Sequence, residues 1–382
     1  MLTRDQLKLP KLFNGNGMHY HTDGQPDTPE GMTYHERYFQ MMSNWGITSL
    51  TVRKATPYFY LLATKYGMLV VNRTYRRAYQ PFSNDGNPVQ TAHDAGHAAI
   101  IQINNEDELL EEWDGQPVNW EVSAKLLIDA SCQVYDQGGI VAWQMLDFKY
   151  FRYCVQVARD NDAMRIFDRW MFVPHNYGIN HPPDYVQDES AFLGFRFWAD
   201  VINAELGFIP LMISGECGWG LGEDADNRYP KVSDDLRVQY EMSVYESFRT
   251  GILPDGQPLP DYYLAANIWI LAATLDGGQL RWEDDAVLKG NGLRRDNFIQ
   301  AMIMQPTFTR RFTDMSNTLA DSYPEAFKAW IDAGGDAEEA FRFYLMATGR
   351  MPATVDSYRM LASRMRSHLS ELEAIGLMLP KE

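Results

Sequence analysis

Ile101-Gln102-Ile103-Asn104-Asn105-Glu106 and Leu211-Met212-Ile213-Ser214-Gly215-Glu216-Cys217-Gly218-Trp219 decide how this chain is read. Each is a short apolar run, strand-like in length and Ile content, that stops at a glutamate. A buried strand ending in a carboxylate sets that carboxylate at the rim of a sheet, where parallel-sheet proteins keep their chemistry. Working outward, strand-like runs cover residues 13–21, 47–53, 68–73, 98–104, 140–145, 169–174, 208–214 and 264–271. The last of these is equally compatible with a helix. Helical spacing fills most of the intervals, over residues 34–45, 58–66, 120–135, 150–166, 191–206 and 236–248, while residues 81–96 read as a loop. Gly15 and Gly17 in the first run permit close approach of the backbone. Eight strands with interposed helices predict an α/β chain folded as a (β/α)8 TIM barrel. A doubly wound open sheet is the rival, but no Gly-rich phosphate loop follows an early strand.

The barrel is expected over residues 1–290. Residues 291–382 are expected to hold the closing helix and a helical C-terminal extension, with Tyr358, Leu361, Met365, Leu369 and Leu372 on one stripe. That stripe packs either on the barrel or on a second copy, so the chain is expected to be a monomer or a homodimer. The formal charge is −17, from 34 basic and 51 acidic residues, a field that disfavours nucleic acid and anionic membrane as partners. With 10 Trp and 21 Tyr the chain can build a large core or a carbohydrate cleft floored by aromatic faces. Three widely spaced cysteines indicate no disulfide framework. No segment has the length of a membrane span or the pattern of a signal peptide, so a soluble protein is expected, cytoplasmic or secreted with its signal removed.

The two glutamates sit in sequence contexts that resemble the retaining glycoside hydrolases of clan A, the (β/α)8-barrel glycosidases. In that clan an Asn-Glu pair ends strand four and supplies the acid/base; a second glutamate ends strand seven and is the nucleophile. Asn105-Glu106 matches the first and Glu216 the second, with Asp107 standing where the clan has Pro and Gly215 where it has Thr. The resemblance covers roughly residues 12–275. It implies a retaining glycosidase acting on a β-linked neutral carbohydrate, with no cofactor and no metal. It also implies roles for further residues. Asn105 would bond the sugar 2-hydroxyl. His175 and Tyr177 match a His-x-Tyr ending strand six, where Tyr177 would bond Glu216 and His175 would touch substrate or Glu106. Arg53 matches an arginine under the nucleophile, and Trp269 a tryptophan floor for the sugar. Glu106, as proton donor, should hold its proton near neutrality through burial and the charge of Glu216.

Arg73, Tyr75, His93, His97 and Trp219 are further cleft candidates. His19 and His21 share one strand face and read as substrate contacts. They also carry the main rival enzyme class, a metal-dependent amidohydrolase barrel, although residues 140–146 offer no His and residues 264–271 no Asp. A barrel that binds carbohydrate without turnover is the non-enzymatic alternative. Residues 223–227 read as a solvated acidic loop rather than a calcium loop, and Cys217 as a packed small residue rather than a thiol nucleophile.

Overall fold

In the computed structural model, residues 1–21, 28–74, 76–276, 279–281, 283–290 and 293–312 are described. The chain divides into two compact units, Met1–Arg310 and Arg311–Glu382. The stripe from Tyr358 to Leu372 lies outside the described residues, as does Tyr75.

The first unit is a closed parallel barrel. Its strands are β1 (Asn16–His21), β2 (Ser49–Arg53), β3 (Leu69–Arg73), β4 (Ile100–Gln102), β5 (Ile140–Trp143), β6 (Trp170–Phe172), β7 (His175–Tyr177), β8 (Met212–Gly218) and β9 (Tyr263–Ile268). They run in the order β6-β5-β4-β3-β2-β1-β9-β8-β7, and a further pairing of β6 with β8 closes the ring. β6 and β7 are two halves of one staves-like position. Val173 donates back to Trp143 and Pro174 has no N–H to offer, so the ladder breaks there and resumes at His175. Counted so, the barrel has the eight strands that the sequence predicts. The eighth, left between strand and helix on sequence grounds, is the strand β9, paired to β1 and β8.

Between the strands run α1 (Pro29–Asn44), α2 (Pro57–Tyr66), α3 (Pro88–Asp94), α4 (Trp120–Asp136), α5 (Phe148–Asp160), α6 (Phe195–Leu206) and α7 (Asp234–Thr250). Their ends are written locally. Thr28, Thr56, Asn119, Asp147 and Ser233 cap N-termini with side-chain oxygens, and Gly67, Gly207 and Gly251 close C-termini in the left-handed conformation. Helix α3 occupies the segment expected as loop. Asn87 caps it and Pro88 opens it, a start signal that the loop-rich composition around it obscured. The unit continues past β9 through two short hairpins to α8 (Asp296–Met304), whose Phe298 is fully buried.

Alternation along each strand separates two layers. Met18, Tyr20, Leu50, Val52, Val70, Ile101, Val141 and Trp143 face the helices and form the main apolar cluster. His19 registers with Thr51 and Thr51 with Val71; one step further along, His21, Arg53, Arg73 and Gln102 register in turn. These interior positions become polar toward the C-terminal ends of the strands. Gly17 lies where β1 passes β9: a Cβ there would stand 1.7 Å from Asn267 Oδ1, whose amide is held by Thr51 at 2.7 Å. The close approach expected of Gly17 is thus a packing requirement.

Candidate active site

Glu216 comes from β8, bulging past β9 where the pairing register shifts between Ser214 and Cys217. Gly215 before it is fixed by contact, since a Cβ would stand 2.5 Å from Val173 Cγ1. Both Glu216 oxygens are held. Tyr177 O–H donates to Oε2 at 2.5 Å, and Arg73 Nη1 donates to Oε1. His19 Nε2 stands 3.6 Å from Oε1. Burial, and then the charge of Glu216, pushes the Tyr177 phenol well above its ordinary range, so it stays a donor. Burial also pushes His19 well below the histidine range, with His21 and Arg73 adding to it, so its ring is neutral. The ring of His19 packs against Trp269 at 4.5 Å, and His21 meets Trp269 edge-on at 5.4 Å. Behind Trp269, buried Arg237 donates to its carbonyl at 3.0 Å and is held in turn by Glu241.

Glu106 follows β4 on a backbone in the left-handed region, φ +48°, uncommon for a residue with a Cβ. His175 Nδ1 lies 2.8 Å from Glu106 Oε1 and 3.5 Å from Glu216 Oε2, bridging the two. A side-chain oxygen from each glutamate and a His175 ring nitrogen all lie within 4.8 Å of one another. This is the group among the described residues whose donor atoms converge tightly enough for a cation. It does not include His19 or His21, the pair on which the amidohydrolase alternative was built, and the Arg73 guanidinium already faces Glu216.

Several expectations are corrected. The arginine placed on Glu216 is Arg73, at the end of β3, and not its register neighbour Arg53 at the end of β2. Asn105 gives its amide N–H to Glu112 at 3.0 Å and keeps only a buried Oδ1 without a partner. Trp219 is 2 % exposed, packed on Gly178 with its indole N–H on the His181 carbonyl, and offers no open face to a ligand. His97 bonds Thr64 and Tyr60 ahead of β4, and His93 sits on α3, both at the opposite end of that strand from Glu106. Glu106 does not sit above the glutamate range. Burial pushes its carboxyl up, but the His175 hydrogen bond, aided by the charges of His175 and Arg73, outweighs it and the net direction is down. Cys217 is fully buried with its thiol pushed up by burial, which leaves it no nucleophilic character. Asp226, in the acidic loop, is pinned by Arg228 and by His181 at 3.0 Å.

Residues that the sequence reading passed over support Glu106 from below. Gln144 follows β5 and accepts the Glu106 N–H; Asp107 is buried beside Arg76 at 3.3 Å; Glu108 accepts from Leu146 N at 2.8 Å and Asp147 N at 3.2 Å. Burial drives the Glu108 carboxyl up to about 8 and the Asp107 carboxyl up to about 6. Gln144 interrupts the apolar run of residues 140–146, and that single polar residue is the signal that could have marked it. The folded protein therefore keeps a proton on Glu108 that the unfolded chain has released above its own carboxyl pKa. Stability supplied by that neutral acid is full in acid and lost as pH climbs toward about 8. Glu108→Gln should accordingly raise the urea midpoint at about pH 8.5 and leave it nearly unchanged at about pH 5. Equal shifts at both pH values would show that Glu108 is ionised in the fold.

No helix among the described residues is long and apolar enough to cross a membrane. No family model matches the sequence, and no curated protein matches it. Similar solved structures include a Bacteroides uniformis beta-glucuronidase, 16% identical with a TM-score of 0.45, covering 76% of this chain and 35% of that one. A GH2 beta-galacturonidase from Eisenbergiella tayi, bound to galacturonate, is 13% identical with a TM-score of 0.41, covering 78% and 52%. A beta-glucuronidase from Ruminococcus gnavus is 13% identical with a TM-score of 0.42, covering 75% and 48%. The chain thus spans about a third to a half of these proteins' length. Likeness of this degree decides nothing about the reaction.

Proposed function

We propose that the chain is a retaining glycoside hydrolase in which Glu216 is the nucleophile and Glu106 the acid/base. The observation that carries the reading is the convergence of the two carboxylates, oxygens within 4.8 Å, at the C-terminal rim of a closed barrel. Retaining enzymes place their carboxyl groups about 5–5.5 Å apart, whereas inverting ones leave about 6.5–9.5 Å for a water. In the first step a Glu216 oxygen attacks the anomeric carbon, the glycosidic C–O bond breaks, and Glu106 gives its proton to the departing oxygen. In the second, Glu106 takes a proton from water as the water oxygen displaces Glu216. Arg73 and Tyr177 supply two donors that orient the nucleophile. The asymmetry of the pair supports the assignment: Glu216 is 7% exposed at its side chain and Glu106 22%, so the carboxyl that must meet leaving group and water is the more accessible. Trp269 and His21 are the rings on which a sugar would rest; His19, expected as a substrate contact, is fully buried against the Trp269 ring. The net charge of −17 favours a neutral sugar over a polyanion.

Glu106 sits low because His175 donates to it, so the proton-donating form becomes populated when that bond is weakened. His175→Phe should raise the Glu106 pKa and move the alkaline limb of kcat/KM to higher pH, because the free enzyme then holds the required proton further into base. A limb that stays in place or moves toward acid would separate His175 from Glu106 in function.

The reading is tested by assaying nitrophenyl β-glycosides, β-glucans, mannans and galactans with and without a strong chelator. Hydrolysis of at least one β-glycoside, unchanged by chelation, is the expected result. Activity confined to amide or ester substrates, or lost on chelation and restored by Zn²⁺, would replace it with the metal-dependent alternative.

A further inference from the structure

We infer that Gln144 is a positioning residue for Glu106: its side-chain carbonyl holds the Glu106 amide and so fixes where the acid/base carboxyl stands. The inference rests on the role proposed above for Glu106. A residue with a Cβ at φ +48° does not keep that conformation without outside contacts, because the left-handed region is sterically costly. Its carbonyl accepts from Leu109 N at 2.8 Å, and its amide is held across the strand gap by the hydrogen bond from Glu106 N to Gln144 Oε1. Gln144 is itself immobilised. It is fully buried, its N–H donates to Asn104 Oδ1 at 3.1 Å, and its carbonyl accepts from Asn104 Nδ2. One turn further on, Glu108 Oε1 receives Leu146 N and Asp147 N, so the segment after β4 is tied to the segment after β5 on both sides of Glu106.

Of the bonds that tie the segment after β4 to the segment after β5, Gln144's is the one that holds the Glu106 amide; the Glu106 carbonyl accepts from Leu109 N at 2.8 Å within its own segment, and its carboxylate meets His175. Gln144 Nε2 is buried without a partner, so the orientation of the side-chain amide is set by what its Oε1 receives. Asn104 and Glu108 set the spacing of the two segments; Gln144 sets the backbone angle from which the Glu106 side chain departs toward His175 and Glu216. A small displacement of a catalytic group can cost on the order of 10²-fold in rate. Because Glu106 acts by proton transfer, that loss should depend on the leaving group.

The test uses Gln144→Met, which keeps the length but removes the acceptor, and Gln144→Glu, which keeps an acceptor. Gln144→Asn, withdrawing the acceptor by one methylene, stands in should the Met variant not fold. Two readouts are taken on the full chain. Hydrogen exchange of the peptide spanning residues 104–108 should accelerate in the Met or Asn variant and return toward wild type in the Glu variant. In kinetics, kcat/KM should fall about tenfold to a hundredfold for glycosides with poor leaving groups, and by less than about threefold for activated ones, with KM little changed. Unchanged exchange, or a loss equal for every leaving group, overturns the inference. Were Glu106→Ala itself indifferent to leaving group, the assignment of Glu106 would fall, while the exchange readout would still decide whether Gln144 holds its backbone.

Discussion

Glu216→Ala is expected to abolish turnover on every β-glycoside the protein cleaves, by on the order of 10⁵-fold, whatever the leaving group. The other carboxylate at the site, Glu106, is taken up by proton transfer, and the groups on the Glu216 oxygens are Arg73, Tyr177, His19 and His175, none of them an anion. The alanine variant also strands Arg73, a largely buried guanidinium, without its counter-charge, which weakens the fold. Glu216→Gln is the cleaner companion: it still accepts from Tyr177 and fills the same space while offering no nucleophilic oxygen. Both variants should be inactive, and the Gln variant, which keeps the acceptor and the volume but not the counter-charge, should unfold between wild type and the Ala variant. Activity within about tenfold of wild type in a folded Gln variant would remove Glu216 from the reaction.

Glu106→Ala should behave differently, and the difference identifies its role. Formation of the glycosyl-enzyme needs proton donation only when the leaving oxygen is basic. Activated aryl glycosides should therefore keep their first step, while unactivated ones lose about 10²–10⁴-fold. Breakdown of the intermediate lacks its base and becomes limiting, which lowers KM together with kcat. Azide, a small anion that attacks without a general base, should restore turnover and yield the β-glycosyl azide. Should azide rescue Glu216→Ala with a β-azide product instead, the two roles are exchanged. Indifference of both variants to azide and to leaving group would point away from a covalent intermediate.

The sequence carried the architecture because barrel strands obey a local rule: an apolar run, a polar residue at its end, a glycine or a cap at the next helix. That rule finds β1 to β5 and β8 and marks Glu106, Glu216, His175 and Tyr177 as rim residues. It fails where three-dimensional closure decides. β9 is strand rather than helix because β1 and β8 flank it on both sides, a fact invisible in its own residues. Arg53 and Arg73 end adjacent strands in the same register, and nothing in their own sequence says that it is Arg73 that meets Glu216. The Glu106 carboxyl was expected high because burial and Glu216 are both legible from sequence. The compensating bond depends on His175 standing 2.8 Å away with its Nδ1 turned to Glu106, which depends on the break at Pro174 that re-aims β7. Asn105 and Trp219 have suitable residue types at suitable positions, but the N–H groups they would offer a ligand go to Glu112 and to the His181 carbonyl. Rim position is thus readable from sequence, and side-chain direction is not.

The account stands most directly on one measurement, the configuration of the first sugar released. With a β-glycoside that the protein hydrolyses, proton NMR of the anomeric signal should show the β-anomer appearing first and the α-anomer only later, as mutarotation sets in. That outcome requires two displacements at one carbon, the course proposed here for two carboxylates with oxygens within 4.8 Å of each other. Initial appearance of the α-anomer would mean a single displacement by water, and would contradict the assignment of Glu216 as nucleophile.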